Sequence, residues 1–110
     1  MALEDILKSE FSDEFISLMS NRMLMSYYKY GPVSKSYPEL ADAMASLEMR
    51  LQKYKETGNT EFLVDVANFA MIEFMKPKHP NAHFRATDSD ESPGLVGVSY
   101  REFEESLENL

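Results

Sequence analysis

Residues 40–75 read LADAMASLEMRLQKYKETGNTEFLVDVANFAMIEFM, and their periodicity sets the fold class. At 100° per residue Leu40, Met44, Leu47, Leu51 and Tyr54 fall within about 40° of one line, which predicts a helix over 38–55 with that line as its buried seam. Thr57-Gly58-Asn59-Thr60 then stops it: glycine stands at the C-terminal position, and Asn59 or Thr60 is placed to cap the next helix. That helix covers 61–75 and ends before Pro77 and Pro80, each of which disfavours helix in the residue before it. Two helices joined so tightly should pack antiparallel.

The same signals extend in both directions. Leu3, Ile6 and Leu7 recur at helical spacing, and Ser12 before Asp13 and Glu14 has the form of a new N-cap. From Phe15, the residues Ile16, Met19, Met23, Leu24 and Tyr27 continue at three- and four-residue steps until Gly31-Pro32, predicting a core-facing helix. Residues 31–38 read as a loop between helices. After Pro80 the pattern weakens into an irregular acidic segment over 86–98, within which Leu95-Val96-Gly97-Val98 has the composition of a brief strand. Ser99 is placed to cap a last, highly charged helix with Tyr100, Phe103 and Leu107 on its apolar side. The expected fold is all-α: one domain over 1–110, a bundle of about four helices with an irregular acidic loop before a short C-terminal helix.

Composition narrows the function classes. Without cysteine there is no disulfide, thiolate metal site or cysteine nucleophile. No apolar run approaches the roughly 18 residues needed to span a bilayer, and the first residues lack the basic and apolar regions of a signal peptide. A soluble, unexported, cytoplasmic protein is expected. The net charge of -8 argues against nucleic acid as the main partner, since that affinity comes from Lys and Arg on phosphates. Residues 88–110 hold seven acids against Arg101 and so carry -6 of the -8, which suits a solvated, solubilising segment.

The helix over 61–75 carries the chemistry. Leu63, Val66, Ala67, Ala70 and Phe74 share one face, flanked by Phe62, Val64, Phe69 and Met75. The remaining strip holds Glu61, Asp65 and Asn68 at i, i+4 and i+7, with Ile72 continuing the line. Two carboxylates one turn apart repel, and burying them unpaired would cost several kcal/mol. A divalent cation is one compensation, because Mg²⁺ prefers carboxylate oxygen and is commonly shared with the phosphates of a substrate. The other is ordinary: a solvated strip, or pairing with nearby Lys or Arg.

Glu61-Phe-Leu-Val-Asp65-Val-Ala-Asn68-Phe-Ala-Met71 resembles the second metal-binding helix of the MazG-like, all-α nucleoside triphosphate pyrophosphohydrolases, particularly members reading E-x-x-x-D-V-A-N-[YF]-A-M. The match is tight over some 15 residues and loose from Glu39 to Phe74. The resemblance implies acidic residues around Mg²⁺ or Mn²⁺ and attack of water on a nucleotide's phosphate chain, with release of pyrophosphate. Carried over, Glu61 and Asp65 become metal ligands and catalytic residues, and Asn68 a substrate contact. The family's preceding helix offers two acids, whereas this chain has Glu48 followed by Leu51 and Gln52 where the second would stand. Glu48, at the edge of its seam, is the remaining candidate ligand from that helix.

Several other groups are set aside or kept in reserve. His79 and His83 have ligand spacing on a helix, but Pro80 lies between them. Residues 87–92 are oxygen-rich without the glycine and closing glutamate of an EF-hand. Arg85 is the base placed to meet a phosphate if the acidic loop folds over the site, although a surface ion pair is the commoner fate of such a residue. Eight methionines, and the cluster of Tyr27, Tyr28 and Tyr30, suit core filling or a partner surface. The leading expectation is therefore an Mg²⁺-dependent nucleotide pyrophosphohydrolase that self-associates. The competing one is a non-catalytic helical module that binds another protein.

Overall fold

The computed structural model describes residues 2–88, 91, 94–96 and 100–108, and the side chains of Tyr100, Glu102 and Phe103 lie outside that description. The fold is all-α. Its helices are α1 (Leu3–Glu10), α2 (Asp13–Tyr30), α3 (Val33–Ser36), α4 (Ala43–Thr57), α5 (Glu61–Met75) and α6 (Tyr100–Glu108). Among the described residues there is no strand; Leu95 makes an isolated bridge, and the rest of the segment read as a strand, like the Ser99 cap, includes residues outside those described. No helix is long and apolar enough to cross a membrane, among the described residues.

Local chemistry sets the helix ends. Ser12 Oγ accepts from the Phe15 N–H at 3.0 Å and opens α2, while Gly31, at φ +86°, closes it with its N–H on the Tyr27 carbonyl. Residues 31–38 are more ordered than a plain loop, since α3 occupies their centre. The expected start of α4 moves by a turn. Asp42 Oδ1 accepts from the Ala45 N–H at 3.0 Å, so Asp42 is the N-cap and Leu40 falls outside the helix, 82% exposed rather than in the seam. Gly58 ends α4 in the left-handed region at φ +72°, and Asn59 rather than Thr60 caps α5, its Oδ1 accepting from the Glu61 N–H at 3.1 Å.

Through that tight connection α4 and α5 form the most extensive packing in the chain, and α2 crosses onto α5 as the second contact. The innermost residues are Ala43 of α4 and Val64, Asn68 and Ile72 of α5. The last three are spaced i, i+4, i+8, so the inward line of α5 runs from Val64, at the flank of the apolar face, through Asn68 and Ile72 of the polar strip. Of the broad apolar face expected to be core, Leu63, Val66 and Ala67 are half-buried, whereas Ala70 is exposed and Phe74 is 76% exposed. A similar correction applies to α2, where Phe15, Met19, Arg22 and Met23 are half-buried while Ile16, Leu24 and Tyr27 are exposed.

Candidate functional site

The polar strip of α5 faces inward because it finds partners there. Arg22 of α2 sends one guanidinium nitrogen to Glu61 Oε1 at 2.8 Å and the other to Asp65 Oδ1 at 3.3 Å. Arg50 of α4 reaches the second Asp65 oxygen through Nε at 3.2 Å. The Asp65 side chain, 14% exposed, is thus held between two guanidiniums that come from two different helices. One turn on, Asn68 Nδ2 donates to the Met19 carbonyl at 3.1 Å. Asn68 Oδ1 is buried with no hydrogen-bond partner, an open acceptor of the kind that costs about 1–3 kcal/mol when left unmet.

Arg22, Arg50, Asp65 and Asn68 line a cleft of about 570 Å³ between α2, α3, α4 and α5, with Glu61 outside its wall. Arg22, Lys29 and Arg50 bring three cations to its wall, and Tyr30, Tyr37 and Phe69 bring three rings, with Asp65 as the one acid. The Arg50 guanidinium lies 5.6 Å from the centre of the Phe69 ring, and Lys29 Nζ 5.2 Å from that of Tyr30. Burial pushes the Tyr37 phenol above its ordinary value, with the Arg50 charge pulling against it, so this ring presents a neutral hydroxyl at neutral pH. Lining a cleft in this way is the usual build of a small-molecule site: apolar and aromatic walls with a few convergent polar groups.

Glu61, Asp65 and Asn68 therefore come together as the spacing predicts. Glu48 does not join them. It is exposed and does not line the cleft, and Arg50, about 200° round α4 from it, takes the position facing Asp65. Arg85 also stays away, paired through both terminal nitrogens with Glu91 at the surface. His79 and His83 turn their Nδ1 atoms to the Asn81 backbone, and no group of three or more His, Asp or Glu is placed to hold a metal among the described residues. As donors for a divalent cation, Glu61 and Asp65 fit in chemistry and number the Mg²⁺ sites that use one or two carboxylates and complete the shell with water and substrate phosphate. In the structure their compensation is arginine.

Arg22, Lys29, Arg50 and Tyr37 escaped the sequence reading. Arg22 and Arg50 carried a signal nonetheless: Arg22 continues the Phe15-Met19 line of α2 beside Met23, and Arg50 sits between Leu47 and Tyr54 at heptad spacing. A charge set within an apolar line needs a buried partner. No family model matches the chain, and no curated protein or solved structure matches it.

Proposed function

We propose that the cleft binds a nucleoside triphosphate or a related nucleotide and, with Mg²⁺ or Mn²⁺, hydrolyses its phosphate chain. The observation that carries this reading is the convergence of Arg22, Lys29 and Arg50 with Tyr30, Tyr37 and Phe69 in one cleft of a chain with net charge -8. Cations gathered against the overall sign of the protein suit a polyphosphate, and the rings suit a base stacked beside it. The likeness of residues 61–71 to MazG-like pyrophosphohydrolases supports the same reading.

In this proposal phosphate oxygens draw the two guanidiniums from Asp65, with Arg giving the planar, bidentate contacts that phosphate favours. Glu61 and Asp65 are then the residues that would hold Mg²⁺, which supplies Lewis acidity to the phosphate chain. Water adds to the α-phosphorus, the bond from that phosphorus to the bridging oxygen breaks, and pyrophosphate leaves. In the same proposal Glu61, the more exposed carboxylate, gives up its pairing with Arg22 and takes the water's proton. A cytoplasmic location belongs to the same proposal.

Thermal melting with nucleoside triphosphates, with and without Mg²⁺, tests it, because a ligand of the native state raises the midpoint by mass action. Ser26 lines the cleft, is exposed, and takes part in no described side-chain hydrogen bond, so Ser26→Glu adds a repelling charge without removing a contact. The expected result is a nucleotide-dependent rise in the wild type that Ser26→Glu abolishes, followed by pyrophosphate release. No shift with any nucleotide and metal would overturn the reading and favour the protein-binding module.

A further inference from the structure

Among the described residues Asn68 is the one buried polar residue, and it lines the cleft. Its two amide atoms are not interchangeable. A carbonyl only accepts, so the atom that meets the Met19 carbonyl at 3.1 Å has to be the nitrogen, and that bond fixes the other atom as oxygen. Oδ1 is then a fixed acceptor, and among the described residues it is the only buried side-chain nitrogen or oxygen without a partner. A group that satisfies it must donate an N–H or O–H. Ionised phosphate brings acceptor oxygens, so the donor belongs to the nucleoside part of a nucleotide.

The order of residues on α5 says which part. Asp65, with its two guanidiniums, is followed by Asn68 and then Ile72, so the inward side passes from charged to polar to apolar over about 10 Å of helix. Exposure falls the same way, from 41% at the Arg22 side chain to 6% at Asn68. Phosphates at the open, charged end put the base at the covered end, against Asn68, Phe69 and Ile72 of the cleft wall. We infer that Asn68 Oδ1 reads an amino group on the pairing edge of the base, so that the cleft takes adenine or cytosine nucleotides in preference to those of uracil or thymine. This inference rests on the nucleotide reading of the cleft, in which the guanidiniums leave Asp65 for phosphate and the wall beside Asn68 opens as they do.

The rest of the wall suits the same edge. In adenine and cytosine the amino group stands beside a ring nitrogen that accepts, and Tyr37 keeps a neutral hydroxyl that can donate to it. Uracil and thymine instead carry one N–H between two carbonyls. A single hydroxyl meets only one of them, and Asn68 Nδ2, held by the Met19 carbonyl, does not turn to meet the other. Such a base leaves a buried acceptor unpaired, which is how a polar site rejects a close analogue.

The test edits the ligand and leaves the whole chain intact. Titration calorimetry with Mg²⁺ compares ATP with purine riboside triphosphate, which lacks only the 6-amino group, and CTP with its 4-deamino analogue. UTP and the 2′- and 3′-deoxy forms of ATP complete the series, each as the α,β-methylene compound in which carbon replaces the scissile bridging oxygen. Loss of the amino group should weaken binding roughly 10- to 100-fold in at least one pair, and loss of a sugar hydroxyl should not. Asn68→Leu, checked for retained helicity, should bind both members of that pair alike; if it does not fold, the wild-type series decides alone. Equal binding within both pairs, a loss confined to the deoxy forms, or a uridine compound that binds as tightly as the better amino-bearing one would each overturn the inference and leave the nucleotide reading standing. No binding by any of them would overturn both.

Discussion

The two sides of α5 invert the usual rule. Asp65, Asn68 and Ile72 of its polar strip are turned into the protein together with Val64, while Ala70 and Phe74 at the end of its apolar face are exposed and Leu63, Val66 and Ala67 are half-buried. Apolar area alone would have rotated the helix the other way, at about 25 cal/mol for each Å² buried. What opposes that rotation is specific. Arg22, Arg50 and the Met19 carbonyl all lie on one side, and Asp65 and Asn68 would lose these partners if α5 turned over. Polar pairs therefore hold this side of α5 against α2 and α4.

The largest effect expected is at Ile72, the largest apolar side chain among the buried residues of α5. Ile72→Ala should lose about 2–4 kcal/mol in urea denaturation, from lost transfer energy and the cavity left behind. A loss below half a kcal/mol would mean that the strip is not the inner side of α5. Asp65→Asn sharpens the polar half of the comparison. It keeps the shape but leaves Arg22 and Arg50 facing a neutral amide, so a loss of about 1–3 kcal/mol is expected. An unchanged midpoint would show that the arginines do not hold α5 in register.

The smallest effect concerns how α4 is presented to that inner side. The Ala45 N–H chiefly holds the Asp42 carboxyl below its ordinary value, with burial opposing and the Lys78 charge, 3.5 Å away, assisting. A depressed carboxyl stabilises the fold above its unfolded pKa, and that contribution is lost as pH falls through the folded value. Asp42→Ala should thus lower the melting temperature at neutral pH, with the gap from wild type closing in acid below the usual carboxylate range. A gap independent of pH would assign the effect to helix propensity rather than to the charged cap.

Much of this was legible in one dimension. The α4-turn-α5 unit follows from Gly58, Asn59 and the periodicities on either side, because turns and caps are made by residues close in sequence. The limits of α5 and the Ser12 and Gly31 ends of α2 were readable for the same reason. Glu61, Asp65 and Asn68 were legible as a line on one helix, whereas Arg50 rather than Glu48 is the α4 residue that meets Asp65. Helical phase places Glu48 at the edge of a seam without saying which neighbour that edge meets.

By itself, then, the sequence determined an all-helical chain, the hairpin at its centre, and the register of carboxylates and amide along α5. Only the tertiary structure decided that this strip is internal, that arginines from α2 and α4 converge on it, and that the cleft so formed is cationic in an acidic protein. The physical reason is range. Caps and helical phase are set within a few residues, whereas Arg22 meets Asp65 across 43 positions of chain, a contact that exists only once α2 has docked.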